Sequence, residues 1–151
     1  AFCTKIRTLR PDMVFGADII AGFPTEDEAM FARSLDLVEA CGLTHLHVFP
    51  FSPRPGTPAA KMPQVAREEA KARAARLREM GLAMVRDHLG RQHGRTLEIL
   101  AENGGVGRAP DFTPVALPKD VPAGTFLSAR LVGHDGARLE IDAAGISGYR
   151  A

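Results

Sequence analysis

Cysteine is scarce in this sequence of 151 residues: Cys3 and Cys41 are its two cysteines, and they lie far apart in no paired motif. Disulfide scaffolds need several cysteines, and zinc sites need ligands clustered at short spacing. The chain has neither pattern. We therefore expect ordinary buried thiols in a reducing compartment, and no metal site within the chain.

Long apolar runs and an excess of one charge are also missing. No run reaches the roughly 20 residues of a membrane span, the N-terminus has no signal-peptide pattern, and the net charge is +1. We expect no membrane or DNA partner, and a cytoplasmic location by default. The charge is unevenly spread, however, because residues 61–90 carry seven basic and four acidic side chains.

An initiator methionine is absent as well. The chain begins at Ala1, and Phe2, Ile6 and Leu9 follow at helical spacing ahead of Pro11. This pattern predicts a helix that the chain enters part-way. We expect the sequence to be a segment of a longer protein.

The stretch from Gly16 to Glu26 organises the rest of the chain. Val14–Ala21 is apolar and predicts a parallel strand covered on both faces. Gly22 allows close backbone approach, Pro24 ends the strand, and Thr25 with Glu28 predicts a capping box. Ligands of parallel α/β folds bind at such strand ends. The alternative is a tight turn without a ligand.

A second strand should lie beside the first. Residues 26–40 predict an amphipathic helix that ends at Gly42, and residues 45–51 predict a strand parallel to the first, with Pro50 at its end. The proline-rich loop of residues 52–58 then follows at the same sheet edge. Within it, Arg54 sits in a stiff polar platform suited to a phosphate or carboxylate, unless the loop is only a rigid connector.

A long helix over Ala66–Leu89, ended by Gly90, follows this loop. Its predicted apolar stripe consists of Ala66, Ala70, Leu77 and Met84. Basic side chains cluster on another side, at Arg67, Lys71 and Arg78. This face is either solvated or contacts an anionic partner.

Short strands dominate the remainder. They are predicted at Arg95–Glu102, Val106–Leu117, Thr125–Gly133 and Arg138–Asp142. Asn103-Gly104-Gly105 and Asp135-Gly136 are the turn signals between them. The pattern favours a small closed barrel of the oligonucleotide-binding type over a small sandwich. The fold class is thus α/β followed by all-β, with boundaries at 1–60, 61–90 and 91–151.

Two motifs in this order resemble the radical S-adenosylmethionine (SAM) tRNA methylthiotransferases. They are Asp18–Glu26 and His47–Ala59, followed by a basic linker helix and a small barrel of the kind called a TRAM domain. Leu46–Phe49, Ser52–Thr57 and Met62–Val65 most resemble the branch that acts on threonylcarbamoyladenosine beside the tRNA anticodon. The isopentenyladenosine branch is the near alternative, and the ribosomal-protein branch fits less well.

The resemblance implies that residues 1–60 are the C-terminal βα units of a partial TIM-like radical SAM barrel. In that family a 4Fe-4S cluster cleaves SAM, and the resulting radical prepares carbon 2 of adenine for methylthiolation with sulfur carried by an auxiliary cluster. By similarity, the SAM-binding residues would be Ile20, Gly22, Phe23, Pro24, Phe51 and Ser52. The close three-cysteine array that such clusters need is absent. The cluster ligands would then lie in missing N-terminal domains, and no catalytic residue is assigned here.

The expected macromolecular partner is tRNA. The candidate RNA-binding residues are Arg54, Arg67, Lys71, Arg78, Arg91, Arg95, Arg108 and Arg130. Each of these could equally be a solvated surface residue. We expect the isolated chain to be inactive, and the alternative function is a stand-alone RNA-binding module without catalysis.

Overall fold

The computed structural model describes residues 2–150, which form two compact units, one up to Met84 and one from Val85 onward. The first unit contains α1 (Phe2–Leu9), β1 (Phe15–Ala21), α2 (Glu28–Cys41), β2 (Leu43–Pro50) and most of α3 (Arg67–Arg91). The second contains β3 (Thr96–Glu102), β4 (Val106–Arg108), β5 (Pro114–Ala116), β6 (Phe126–His134), β7 (Leu139–Ile141) and β8 (Ser147–Arg150). Short 3-10 turns span Ala59–Lys61 and Ala143–Gly145.

The predicted strand pair of the first unit is confirmed. β1 and β2 are parallel, and Ala21 lies opposite Pro50 at the last position of each strand. The Phe51 amide then donates to the Ala21 carbonyl at 2.8 Å. Both strands therefore end together, and the two loops that follow start from one edge of the sheet.

Burial of both faces of β1 was predicted and is wrong. Burial alternates along the strand, and Ile20 on β1 and Phe49 on β2 are 54% and 55% exposed. The opposite face packs into a core with Phe31 of α2 and Leu77 of α3. Within residues 2–84, the helices cover one face of this two-stranded sheet.

The start of α2 differs from the predicted capping box. Asp27 is the N-cap, and its carboxylate accepts a hydrogen bond from the Met30 amide at 2.7 Å. Thr25 instead adopts a left-handed conformation, with φ of 70°. The helix therefore begins at Glu28, two residues later than predicted, because Glu26 folds back toward the preceding loop. Its end at a left-handed Gly42 is confirmed.

α3 is longer than predicted. It continues through Gly90 to Arg91, and the left-handed glycine beyond it is Gly94, with φ of 80°. Ala70 and Leu77 of the predicted apolar stripe are buried, whereas Ala66 is exposed. The stripe prediction missed two small buried residues of this helix, Ala74 and Gly81.

The second unit is a closed barrel. Strands β3, β4, β5, β7 and β6 form a ring in that order, closed by antiparallel pairing of β6 with β3, and β8 adds to β6. Ile99, Leu127 and Leu131 lie in its buried core. The two predicted turns are confirmed by the antiparallel pairs β3–β4 and β6–β7.

Two features of the barrel differ from the prediction. The single strand predicted over Val106–Leu117 is wrong, since a turn at residues 109–113 divides it into β4 and β5. That turn includes Phe112, a non-glycine residue with φ of 64°. The last strand, Ser147–Arg150, was not predicted, because its sequence has no run of apolar residues.

The two cysteines are far apart in the sequence, but their thiols are neighbours in the structure. Each is partly exposed, so the prediction of ordinary buried thiols is wrong. A hydrogen bond with the Cys3 thiol, joined by partial desolvation, raises the pKa of the Cys41 thiol above its ordinary value. α1 and the end of α2 therefore bring the two thiols together.

Candidate functional site

A cleft of about 540 Å³ lies at the shared end of β1 and β2. It is lined by Gly22, Pro50, Phe51, Ser52, Pro53, Gln64, Val65, Arg67, Ala70 and Lys71. The loops after the two strands therefore form one wall, as predicted, and the first turns of α3 form the other. Gly22, Phe51 and Ser52 are candidate SAM-binding residues, and Arg67 and Lys71 are candidate RNA-binding residues.

The cleft combines an apolar floor with a cationic rim. Phe51, Val65 and Ala70 supply apolar surface, while the exposed side chains of Arg67 and Lys71 supply positive charge. The Lys71 ammonium lies 2.9 Å from a carboxylate oxygen of Glu68, one turn earlier on the helix. An apolar surface beside cations is suited to a ligand with a flat ring and a separate anionic group.

Gly22 is required here by the protein's own packing. Its φ is +73°, and a Cβ at this position would lie 2.3 Å from the Ala70 Cβ. The Gly22 amide donates to the Glu26 carboxylate at 3.0 Å. The sequence prediction attributed this glycine to close approach of backbone to a ligand, whereas the close contact is with α3.

A buried arginine fixes this loop, and the sequence analysis missed it. The Arg73 side chain is 3% exposed, and its Nη1 donates to the Glu26 carbonyl at 2.8 Å and to the Glu26 carboxylate at 2.9 Å. Its other amino group pairs with Glu69 one turn earlier on α3. The only sequence signal was that Glu69–Arg73 spacing, since Glu26 is 47 residues away.

Three other candidate SAM-binding residues do not line the cleft. Ile20 lies on the exposed face of β1, and Pro24 is fully buried. The Phe23 ring packs edge-to-face on the Phe51 ring, with centroids 5.3 Å apart. Phe23 therefore supports a cleft wall through Phe51, and the SAM-binding roles of all three residues stay predictions.

The candidate RNA-binding residues of the first unit have different environments. Arg54 is exposed, and its carbonyl accepts from the Thr57 hydroxyl at 2.8 Å, which holds the proline-rich loop in a tight turn. Arg78 instead donates to the Val48 carbonyl at 2.9 Å. That bond ties α3 to β2 and gives Arg78 a structural role beside any contact with RNA.

The arginines of the second unit are mostly engaged. Arg91 pairs with Asp87, and Arg95 donates to the Gln92 side-chain oxygen at 2.6 Å. Arg108 donates to Glu102 at 3.0 Å. Arg130 is exposed on β6, four residues along the same strand face from Phe126.

A buried polar cluster in the second unit was also missed. His88 is buried, and its Nε2 lies 2.9 Å from the Asp111 carboxylate and 3.3 Å from the Thr113 hydroxyl. Burial raises the pKa of Asp111, but hydrogen bonds from His88 and Thr113 outweigh it and lower the pKa to about 2. These residues lie far apart in sequence, so spacing gave no signal.

Within residues 2–150, no group of three or more His, Cys, Asp or Glu side chains is arranged to hold a metal ion. No helix in the same range is long and apolar enough to cross a membrane.

The fold and cleft define an α/β unit with a ligand-sized site at its strand ends, followed by a small closed barrel. The chain is 46% identical over 87% of its length to "Threonylcarbamoyladenosine tRNA methylthiotransferase MtaB" of Rickettsia prowazekii (strain Madrid E). It is 36% identical over 84% of its length to a "tRNA-2-methylthio-N(6)-dimethylallyladenosine synthase" of Bartonella bacilliformis. No protein-family profile matches it.

The chain belongs to the tRNA methylthiotransferase family. It spans about a third of the length of these curated relatives, 31% of the first and 29% of the second.

Proposed function

We propose that this chain is part of a tRNA methylthiotransferase that adds a methylthio group to carbon 2 of threonylcarbamoyladenosine beside the anticodon. The 46% identity to the Rickettsia prowazekii enzyme over most of the chain is the observation that carries the proposal. The relative named for dimethylallyladenosine is 36% identical, which makes that nucleoside the second candidate substrate. A cytoplasmic location follows from tRNA as the substrate.

The cleft at the strand ends is the proposed SAM site of this unit. The residues at hand fit such a ligand, because Phe51 and Val65 offer apolar surface for an adenine ring and Ser52 offers a hydroxyl. Arg67 or Lys71 would face the carboxylate of the methionyl group. Gly22 contributes by letting the loop pack on α3, which shapes the cleft, rather than by a side chain.

The iron–sulfur clusters of such an enzyme do not fit this chain. Clusters of this kind are held by several cysteine thiolates, and the sequence contains two cysteines on separate helices. We therefore assign no step of SAM cleavage to these residues. In the proposed enzyme, their task is to orient SAM and to bind tRNA.

The second unit is the proposed TRAM-like, RNA-binding part. A small closed barrel with the exposed Arg130 and the partly exposed Arg108 on its strands suits a phosphate backbone. We propose contacts from Arg108 and Arg130, with Arg91 and Arg95 near the end of α3. Because these proposed contacts join arginine side chains to phosphates, binding should weaken as salt is raised.

Deleting the gene that encodes this chain in its host, followed by mass spectrometry of tRNA nucleosides, tests the function. We expect loss of the 2-methylthio form of threonylcarbamoyladenosine and no change in the dimethylallyl derivative. Loss of the dimethylallyl derivative alone would assign the chain to the second substrate. An unchanged profile, with tRNA binding by the purified chain, would favour a binding module without catalysis.

A further inference from the structure

Phe112 is an aromatic residue that the proposed function leaves unused. It lies on the turn between β4 and β5, and its side chain is 79% exposed. An exposed aromatic ring on a rigid barrel loop is a feature of surfaces that recognise another molecule. The ring is not covered by another part of the second unit.

The turn holds this ring outward in a defined position. The Phe112 amide donates to the Ala109 carbonyl at 2.9 Å, and the Ala109 amide donates to the Thr113 carbonyl at 3.0 Å. Phe112 itself has a backbone φ of 64°, a left-handed conformation that residues other than glycine, asparagine and aspartate rarely adopt. The sequence therefore has a large aromatic residue at a position of the turn whose backbone conformation favours glycine.

The base of the turn is anchored in the barrel. Asp111 precedes Phe112 and bonds to His88, and Thr113 follows it and is buried. The Thr113 amide also donates to the Asp111 carboxylate at 3.1 Å. Both neighbours of Phe112 are thus fixed, so little conformational entropy is lost when the ring meets a partner.

The surroundings of the ring favour RNA as that partner. Arg108 donates to the Phe112 carbonyl at 3.3 Å, so a guanidinium lies beside the turn. Strand register places Arg108 opposite Leu100, and Leu100 opposite Phe126, on the outer face that also carries Arg130. Arginines interleaved with aromatic rings are the arrangement that binds unpaired nucleotides, with bases stacked on rings and phosphates on cations.

We propose that Phe112 stacks on an unpaired nucleobase of the bound tRNA, with Arg108 positioned for an adjoining phosphate. This inference rests on the proposed function, since it takes tRNA as the partner of the second unit. It adds one residue with a defined role: the Phe112 ring would recognise that a base is unstacked, whichever of the four bases it is.

The test uses the whole chain and tRNA in which 2-aminopurine replaces one unpaired adenine at a time. Stacking on Phe112 should change the fluorescence at one position when the chain binds. Phe112→Gly removes the ring and relieves the left-handed backbone. We expect it to weaken binding by roughly 5- to 150-fold, which corresponds to about 1–3 kcal/mol per stacked base, and to abolish the fluorescence change.

Four further variants separate stacking from other effects. Phe112→Tyr keeps the ring and should bind like the wild type, whereas Phe112→Leu should bind like Phe112→Gly. The control is Phe2→Ala, which removes a ring that is 72% exposed in the first unit and should leave binding unchanged. The loss from Phe112→Gly should persist at high salt, because stacking releases no counterions, while that from Arg108→Ala should shrink.

The outcomes distinguish this inference from the proposed function. If the wild type binds tRNA and Phe112→Gly binds equally well with the same fluorescence change, the stacking role is wrong and the proposed function stands. A loop that serves as a protein-docking surface would give that same result. If the wild type does not bind tRNA at any salt concentration, both the stacking role and the RNA-binding assignment fail.

Discussion

The two units of this chain stabilise their sheets in different ways. In the second unit every strand of the five-stranded ring pairs with at least two others, so the ring has no free edge strand. In the first unit the sheet consists of β1 and β2, and each has one neighbour within residues 2–84. One face of that sheet is exposed, and two large apolar side chains, Ile20 and Phe49, lie on it.

The difference shows where each unit's stability must come from. The barrel has a continuous apolar core contributed by nearly all of its strands. The first unit has a core on one sheet face only, and adds a buried arginine that joins α3 to the loop after β1. We therefore expect loss of this buried arginine to destabilise the first unit and to leave the barrel unchanged.

The largest expected effect is that of Arg73→Ala. The substitution leaves Glu26 and Glu69 without their shared cation, and removing one partner of a buried ion pair costs about 3–5 kcal/mol. Hydrogen exchange followed by mass spectrometry should show faster exchange in β1, α2 and β2. Peptides of β3 and β6 should keep wild-type protection, because the barrel core contains none of these residues.

Arg76→Ala is the matched control for this prediction. Arg76 also lies on α3 and bonds to Glu28 at 2.6 Å, but its side chain is about half exposed. An exposed ion pair contributes about 0–1 kcal/mol, so exchange should hardly change. Equal effects of the two variants, or loss of protection across the barrel after Arg73→Ala, would contradict the contrast between the units.

Local sequence patterns were sufficient to predict the cleft wall. Alternation of apolar strand, glycine–proline turn and amphipathic helix defines a parallel pair, and Pro50 marks where the second strand must end. Parallel strands bring their following loops together by geometry alone. For that reason the two loops could be predicted to share one edge without any knowledge of tertiary contacts. The choice of Gly22, Phe51 and Ser52 as SAM-binding residues came from the family resemblance and stays a prediction.

The contacts that fix the cleft and the barrel loop could not be predicted in this way. Arg73 looked like one more cation on a basic helix, and its partner Glu26 looked like part of a helix start. Asp111 and His88 are similarly distant in sequence. Burial decides the role of such charged residues, and burial depends on long-range packing that periodicity does not report.

A smaller effect is expected from Asp111→Asn in the barrel. The pKa of Asp111 is lowered to about 2, so its contribution is fully present above the unfolded value of 3.8 and is lost as pH falls through about 2. Allowing for its partial exposure, we expect the variant to lose about 1–2 kcal/mol of barrel stability at pH 7. Denaturant unfolding should show this difference closing between about pH 4 and pH 2.

Asp120→Asn is the control, since Asp120 is an exposed residue of the same unit. Its unfolding curve should follow the wild type at each pH. If the difference in unfolding free energy between Asp111→Asn and the wild type stayed constant down to pH 2, the ionised carboxylate would not stabilise the barrel. A loss of stability confined to β1 and β2 would show that the cluster of His88, Asp111 and Thr113 does not stabilise the second unit.

The smallest expected effect concerns the exposed face of the first unit. Threonine has the β-branched shape that strands favour, and both side chains are exposed, so Ile20→Thr and Phe49→Thr should each change stability by about 0.5 kcal/mol or less. Removing an exposed side chain forfeits little buried area, which is why large apolar residues on this face are not explained by the stability of the chain itself. Hydrogen exchange of the two variants and the wild type, measured at low and at high protein concentration, gives these stability changes. A loss of several kcal/mol at low concentration would mean that the chain covers this face itself, and the contrast between an open sheet and a closed barrel would no longer hold.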